Sequence, residues 1–304
     1  MEGRGEMGFN VEATELEIEH HLGPFGLATV KPNSRTRRSV DGSALMKVYL
    51  GIDPEGRRRR EVETVRLAAI RDFSVPAVLA TGQDSSGSWT VFRILPGTPC
   101  SIGTDRAIEE YLGHVLDVAG RLHQPAAGLP PGSGWTAGPG DPTTQPCFLL
   151  DQLSGRCRTR PWWAAMEKAL RPIESHPVVH LHGDLKPEHL LVDGQDLHVV
   201  DWEASGRGPA VVDYADVVFH LVRDLIYEDA LPGRIPVDRM AELPLEGPVL
   251  AWRLILWLDR RRPSDIDLIS MHDVDRLTAE EHPAAACMEL ARVVSFLRAA
   301  GVPR

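Results

Sequence analysis

The rhythm of hydrophobic and polar positions changes partway along this chain. Through residue 97 the apolar residues come in short runs bounded by Gly, Asp and Pro, the pattern of half-buried strands and tight turns. Residues 26–32, 43–50, 77–80 and 88–95 predict strands, and residues 33–37 and 82–87 predict turns. A short helix is predicted over 11–22 and a partly amphipathic one over 61–70, entered through the arginine run 57–60. That run reads as a solvated face. Beyond residue 97 the spacing becomes helical. Ile108, Tyr111, Leu112, Val115, Leu116, Ala119 and Leu122 share one face of a helix over 104–123, with Thr104 as its cap. Further helices are predicted over 161–172, from 211 onward, over 248–260 and over 283–299. Residues 124–146, rich in Pro, Gly, Ser and Thr, and residues 203–209 predict loops.

One stretch interrupts the helical half. Residues 178–181 form an apolar run that ends in a polar loop holding His182, Asp184, Lys186 and His189. Two more apolar runs, 190–192 and 197–200, flank Asp193-Gly194, and the second stops on Asp201. Short strands joined through Asp-Gly predict a hairpin. Such a hairpin would return Asp201 to the loop of Asp184 and His189. Carboxylates, an imidazole and an ammonium group gathered in this way suit magnesium and a phosphate chain. Taken singly, each Asp reads equally well as a turn residue.

Composition narrows the partners. The 304-residue chain is 43% hydrophobic and carries a net charge of −10. Length and apolar content allow two lobes with a sizeable core. The acidic balance argues against a nucleic-acid partner and favours a cationic small molecule. Cys100, Cys147, Cys157 and Cys287 show no Cys-x-x-Cys spacing, which fits free thiols in a reducing compartment. No apolar run is long enough to span a membrane, and the acidic beginning lacks a signal-peptide pattern, so the expected location is the cytoplasm. Lysine occurs only at 31, 47, 168 and 186. Lys47 lies inside an apolar strand, where a charge is costly without a partner. It reads either as an edge lysine that snorkels or as a phosphate ligand held by Glu61 or Glu63 in the following helix.

A β-rich first lobe with a strand lysine, followed by a helical lobe with an acidic hairpin, resembles the protein-kinase-like fold. The aminoglycoside phosphotransferase family is the nearer likeness. Leu-His-Gly-Asp-Leu-Lys-Pro-Glu-His (181–189), Val-Val-Asp-Trp-Glu (199–203) and Val-Asp-Tyr-Ala (212–215) carry the resemblance. It implies an α+β, bilobal architecture, with a nucleotide-binding lobe over 1–97 and a catalytic, substrate-binding lobe over 98–304. It also implies that Asp184 accepts or orients the substrate hydroxyl proton and that Lys186 steadies the transferring phosphoryl group. Lys47, positioned by Glu61, would neutralise phosphates, and the backbone near Leu95 would meet the adenine. Asp201 and His189 would hold Mg2+, and His182 and Asp213 would support the catalytic loop.

Two positions depart from the family pattern. His189 stands where the family usually has Asn, and imidazole is a poorer ligand than an amide oxygen for a hard cation. Macrolide-phosphorylating relatives are similar to this chain in having His there. No Gly-x-Gly-x-x-Gly lies in residues 26–47, the predicted strands and turn that lead to Lys47. The resemblance implies an ATP-dependent phosphotransferase, with GTP as the other donor. The acceptor would be a hydroxyl of a small molecule, such as an antibiotic or another natural product, in resistance or self-protection. The departures keep a pseudokinase-like nucleotide-binding module open. A protein kinase is a weaker alternative, because no Asp-Phe-Gly to Ala-Pro-Glu segment follows Asp201.

Overall fold

The computed structural model describes residues 23–31, 33–51, 53–84, 87–124, 149–229 and 234–304. The helix expected over 11–22 lies outside them, as does nearly all of the loop over 124–146. The chain forms two compact units: one through Thr98 joined by Leu191–Ala204, the other Pro99–Leu190 with Ser205–Arg304.

The first unit is built on an antiparallel sheet. Its strands are β1 (Thr29–Lys31), β2 (Ser34–Arg38), β3 (Ala44–Tyr49), β4 (Val78–Asp84) and β5 (Gly87–Arg93), in the order β1-β2-β3-β5-β4. Successive side chains alternate faces along a strand. Ala44, Met46 and Val48 of β3 therefore join Trp89, Val91, Ala80 and Phe25 in one core, and Lys47 and Tyr49 point the other way. Helix α1 (Pro54–Ile70) covers that second face.

Two expectations are corrected here. The turn expected over 33–37 is mostly strand: residues 34–38 pair with β3 from Ser34↔Tyr49 to Arg38↔Leu45. The arginine run is part of α1, which starts at Pro54 behind an Asp53 cap that accepts from Gly56 N at 3.0 Å. Arg57 is not a solvated charge: it donates to Leu50 O at 2.6 Å and Asn33 O at 2.8 Å.

Strands β7 (Leu190–Asp193) and β8 (Asp196–Val199) make the expected hairpin through Gly194, whose φ is 61°. Phe73 meets the Trp202 ring edge-on at 6.1 Å, and Val199 N donates to Ser74 O at 2.9 Å. These contacts tie the hairpin segment into the first unit.

The second unit is mostly helical. It contains α2 (Asp105–Leu122), α3 (Trp163–Leu170), α4 (Val211–Tyr227), α5 (Gly247–Asp259), α6 (Met271–Ala279) and α7 (Pro283–Ala299). The apolar face of α2 is buried and Thr104 caps it, accepting from Ala107 N at 3.2 Å. Helix α4 is buried all round over most of its length, including Asp213, Asp216, His220 and Asp224. Residues 206–209, read as loop, form β9 (Gly206–Pro209), which pairs antiparallel with β6 (Val178–Leu181). Glycine does not prevent the ladder because backbone groups make it. Gly247 lets α5 run against the end of α6: a Cβ there would stand 2.2 Å from Leu277 O. No helix among the described residues is long and apolar enough to cross a membrane.

Candidate active site

In the first unit the side chain of Lys47 gathers three carboxylates. Its Nζ lies 2.9 Å from Glu61 Oε2, 2.7 Å from Asp201 Oδ1 and 2.8 Å from Glu203 Oε2. The strand alternation aims Lys47 at α1, where Glu61 is buried and Glu63 is exposed. Tyr49, two residues on and therefore on the same face, donates its hydroxyl to Glu61 Oε2 at 2.8 Å. Arg57 Nη2 donates to Glu203 Oε2 at 3.0 Å. Asp201 follows β8 with φ 64°, a left-handed conformation uncommon outside glycine, and the turn is pinned by Trp202 Nε1 donating to Val199 O at 3.0 Å. Leu95 is half-buried just after β5, where Ile94 N donates to Ser43 O at 2.9 Å.

The charges of this cluster constrain one another. Burial alone would lower the Lys47 pKa, but Glu61, Asp201 and Glu203 together hold it well above its ordinary value. Burial pushes Glu61 up to about 7, and the Asp201 and Glu203 charges add to that against the pull of Lys47. The ammonium therefore stays protonated. Three carboxylates facing one ammonium and one guanidinium leave an excess of negative charge. Glu61, Asp201 and Glu203 each offer an oxygen within 4.8 Å of the others. Hard oxygen donors with surplus negative charge are the chemistry that magnesium takes.

In the second unit the loop after β6 turns on Gly183, at φ 77°. A side chain at that position would be strained, which accounts for Gly beside the aspartate. Asp213, fully buried at the start of α4, accepts from Gly183 N at 2.8 Å and His182 N at 3.1 Å. Its Oδ2 also lies 3.0 Å from His123 Nε2. Burial alone would raise the Asp213 pKa, but the His123 contact and the Gly183 amide hold it below its ordinary value. His182 is buried, and its Nδ1 accepts from Asp184 N at 3.3 Å.

Asp184 stands at the centre of this loop. Lys186 Nζ donates to its Oδ2 at 2.7 Å, and His220 Nε2 lies 3.2 Å from its Oδ1. His189 Nδ1 is 2.9 Å from the Asp184 carbonyl oxygen. A carbonyl only accepts, so Nδ1 carries a proton. Burial would raise the Asp184 pKa, but the His220 hydrogen bond and the neighbouring Lys186 ammonium hold it well below the usual carboxylate range.

The residues singled out from sequence thus fall into two sets. Lys47, Glu61 and Asp201 meet in the first unit, with Leu95 nearby in sequence after β5. His182, Asp184, Lys186, His189 and Asp213 form the loop of the second. Sequence reading missed the contacts of Glu203, Tyr49, Arg57 and His123. Tyr49 was accessible through the period of two. The others depend on contacts far apart in sequence.

The model of the phosphotransferase enzyme family matches residues 33–232. Among solved structures the chain is similar to aminoglycoside phosphotransferase APH(3'')-Id from Streptomyces rimosus, at 17% identity over 91% of this chain and 96% of that one, with TM-score 0.52. It is similar to a thermostable mutant of aminoglycoside phosphotransferase APH(4)-Ia in complex with AMP-PNP and hygromycin B, at 17% identity over 95% and 99% of the two chains, with TM-score 0.54. It also resembles choline kinase LicA from Streptococcus pneumoniae, at 13% identity over 94% and 97%, with TM-score 0.52. No curated protein sequence matches the chain. The antiparallel sheet unit and the helical unit are those of the protein-kinase-like fold. With residues 33–232 matched, well over half of the chain, the protein belongs to the phosphotransferase enzyme family, whose members are phosphate-transferring enzymes.

Proposed function

We propose that this protein transfers the γ-phosphoryl group of ATP to a hydroxyl of a small molecule. The carrying observation is the buried Lys47 ammonium set among Glu61, Asp201 and Glu203. An ammonium fixed in this way serves phosphate oxygens, and the surplus carboxylate oxygens serve a divalent cation. Residues 1–97 are then the nucleotide-binding lobe, with the backbone at Leu95 as the adenine contact, and residues 98–304 the catalytic lobe.

Mg2+ fits the donor set. Asp201 and Glu203 would hold it. When bound, the ion neutralises charge on the phosphates. The chain's own groups do the rest. Lys47 meets the phosphate oxygens. Asp184 orients the acceptor hydroxyl and takes its proton as the oxygen–phosphorus bond forms. Lys186 balances charge on the moving phosphoryl group. Asp213 and His182 hold the loop in shape. Catalysis is then mainly positioning and charge neutralisation.

The acceptor is proposed to be an antibiotic or other natural product, in a resistance or self-protection role in the cytoplasm. Likeness to aminoglycoside phosphotransferases supports that class, and the net charge of −10 supports a cationic acceptor. A small amino alcohol is the second reading, supported by the likeness to a choline kinase. The test is purified protein with ATP or GTP and Mg2+, offered aminoglycosides, hygromycin B, macrolides, choline and ethanolamine. One of them should gain a phosphoryl group, read by mass spectrometry, with matching release of nucleoside diphosphate. Tight nucleotide binding with no phosphorylated product from any acceptor would sink the proposal.

A further inference from the structure

Helix α4 brings a histidine to Asp184 that no family motif named in the sequence includes. His220 is nearly fully buried, and its Nε2 lies 3.2 Å from Asp184 Oδ1. Arg253 of α5 places Nη2 2.9 Å from the same nitrogen. Arg253 is itself fixed: its Nε donates to Asp216, and its guanidinium lies over the Phe219 ring at 4.7 Å. Nε2 faces both groups and serves one at a time: Arg253 only donates and Asp184 Oδ1 only accepts. With the proton on Nε2 the ring donates to Asp184, and Arg253 keeps its hydrogen bond on Asp216 and acts on the ring as a neighbouring charge. Burial, together with the Arg253 charge, holds the imidazole pKa well below its ordinary value, so the ring donates as a neutral group.

Asp184, Asp216 and His220 also have a spacing compatible with a metal ion, with one atom of each within 4.8 Å of the others. The Arg253 guanidinium already supplies the positive charge among them. A second cation would face a buried like charge, so the cluster reads as a polar brace.

The two oxygens of Asp184 therefore have unlike partners. Oδ1 is held by a buried ring on a packed helix. Oδ2 accepts from Lys186, whose side chain is about a quarter exposed, and lies 3.6 Å from His189 Nδ1, a nitrogen whose hydrogen bond goes to the Asp184 carbonyl. We infer that His220 is a positioning residue: it fixes Asp184 through Oδ1 and leaves Oδ2 as the oxygen that receives the acceptor hydroxyl. When Lys186 turns to the phosphoryl group, Oδ2 is released for the hydroxyl and Oδ1 stays held. The inference rests on the reading of Asp184 as the group that orients the acceptor.

The experiment compares wild type with His220→Leu, His220→Asn and His220→Gln. Glutamine can place an N–H where Nε2 stands, and asparagine is too short. Two rates are read: phosphate release from MgATP with water as acceptor, and ADP release with whichever panel compound is phosphorylated. His220→Leu and His220→Asn should lower kcat by about 10- to 100-fold, the scale of a misplaced catalytic group, with KM for ATP nearly unchanged. His220→Gln should recover most of kcat. Wild-type kcat in His220→Leu, or equal kcat in His220→Asn and His220→Gln, would overturn the inference, and the latter pair decides even where leucine prevents folding. Asp184→Asn is the control. If it retains full turnover, the reading of Asp184 fails; if it is inactive while His220→Leu is not, only the role of His220 fails.

Discussion

Lys47 Nζ lies 2.9 Å from Glu61 Oε2, the same oxygen that accepts the Tyr49 hydroxyl. A strand and a helix are thus joined by one carboxylate that serves two donors. Removing the ammonium leaves Glu61, Asp201 and Glu203 without it. Lys47→Met should cost about 3 kcal/mol of stability, the scale of breaking a buried ion pair. Magnesium should restore part of that loss by taking over the charge. Urea unfolding with and without Mg2+ measures both, and an unchanged midpoint in the variant would contradict the cluster's energetics.

With His189 proposed as a metal ligand, its imidazole should set the metal preference. An imidazole suits Mn2+ better than Mg2+, and an amide oxygen suits Mg2+. His189→Asn should lower the Mg2+ concentration needed for half-maximal turnover and reduce the ratio of Mn2+- to Mg2+-supported activity. Metal titrations of ADP release measure this. A ratio that rises would remove His189 from the metal site.

Asp213 links stability to pH. Its folded pKa is below the ordinary value of 3.8, through His123 and the Gly183 amide acting against burial. A depressed carboxylate stabilises the fold fully above its unfolded value and loses that contribution as pH falls through the folded value. Asp213→Asn should therefore cost about 2–3 kcal/mol at neutral pH, as expected for lost hydrogen bonds to a buried charge. The gap from wild type should shrink below about pH 4. Denaturant midpoints at neutral and acid pH test it; a gap that widens in acid would show the sign to be wrong.

Gly97 offers a backbone test. Its φ is 99°, and a Cβ there would lie 2.8 Å from Val192 O. Gly97→Ala should destabilise the protein by about 1–3 kcal/mol through strain and crowding together. Thermal unfolding measures it; a stabilised variant would mean that the segment shifts freely.

The legible parts of this chain were those set by short-range rules. The strand that carries Lys47 was readable from its short apolar run, and the apolar spacing of residues 108–122 gave α2. The hairpin at Gly194 was readable from turn chemistry. Features fixed by distant partners were not. Ser34–Arg38 looks like a turn because its arginines hide a backbone that pairs with β3. Arg57 looks solvated because its acceptors are main-chain carbonyls of Asn33 and Leu50. His220 and Arg253 sit in two apolar helices 33 residues apart in sequence, and only packing brings them together at Asp184. Single polar residues in apolar helices carry no local signal of their partners.

The first unit takes Leu191–Ala204 from far along the chain. During synthesis, the sheet and α1 leave the ribosome well before Asp201, Glu203 and Trp202 exist. Until then Lys47 has only Glu61 of its three carboxylates, and Phe73 lacks the ring it packs against. A nascent chain arrested after Thr98 should thus hold an immature first unit, which a chaperone or protease would meet in that form. Circular permutants that begin near residue 191 would reverse the order, making the hairpin before the sheet that receives it.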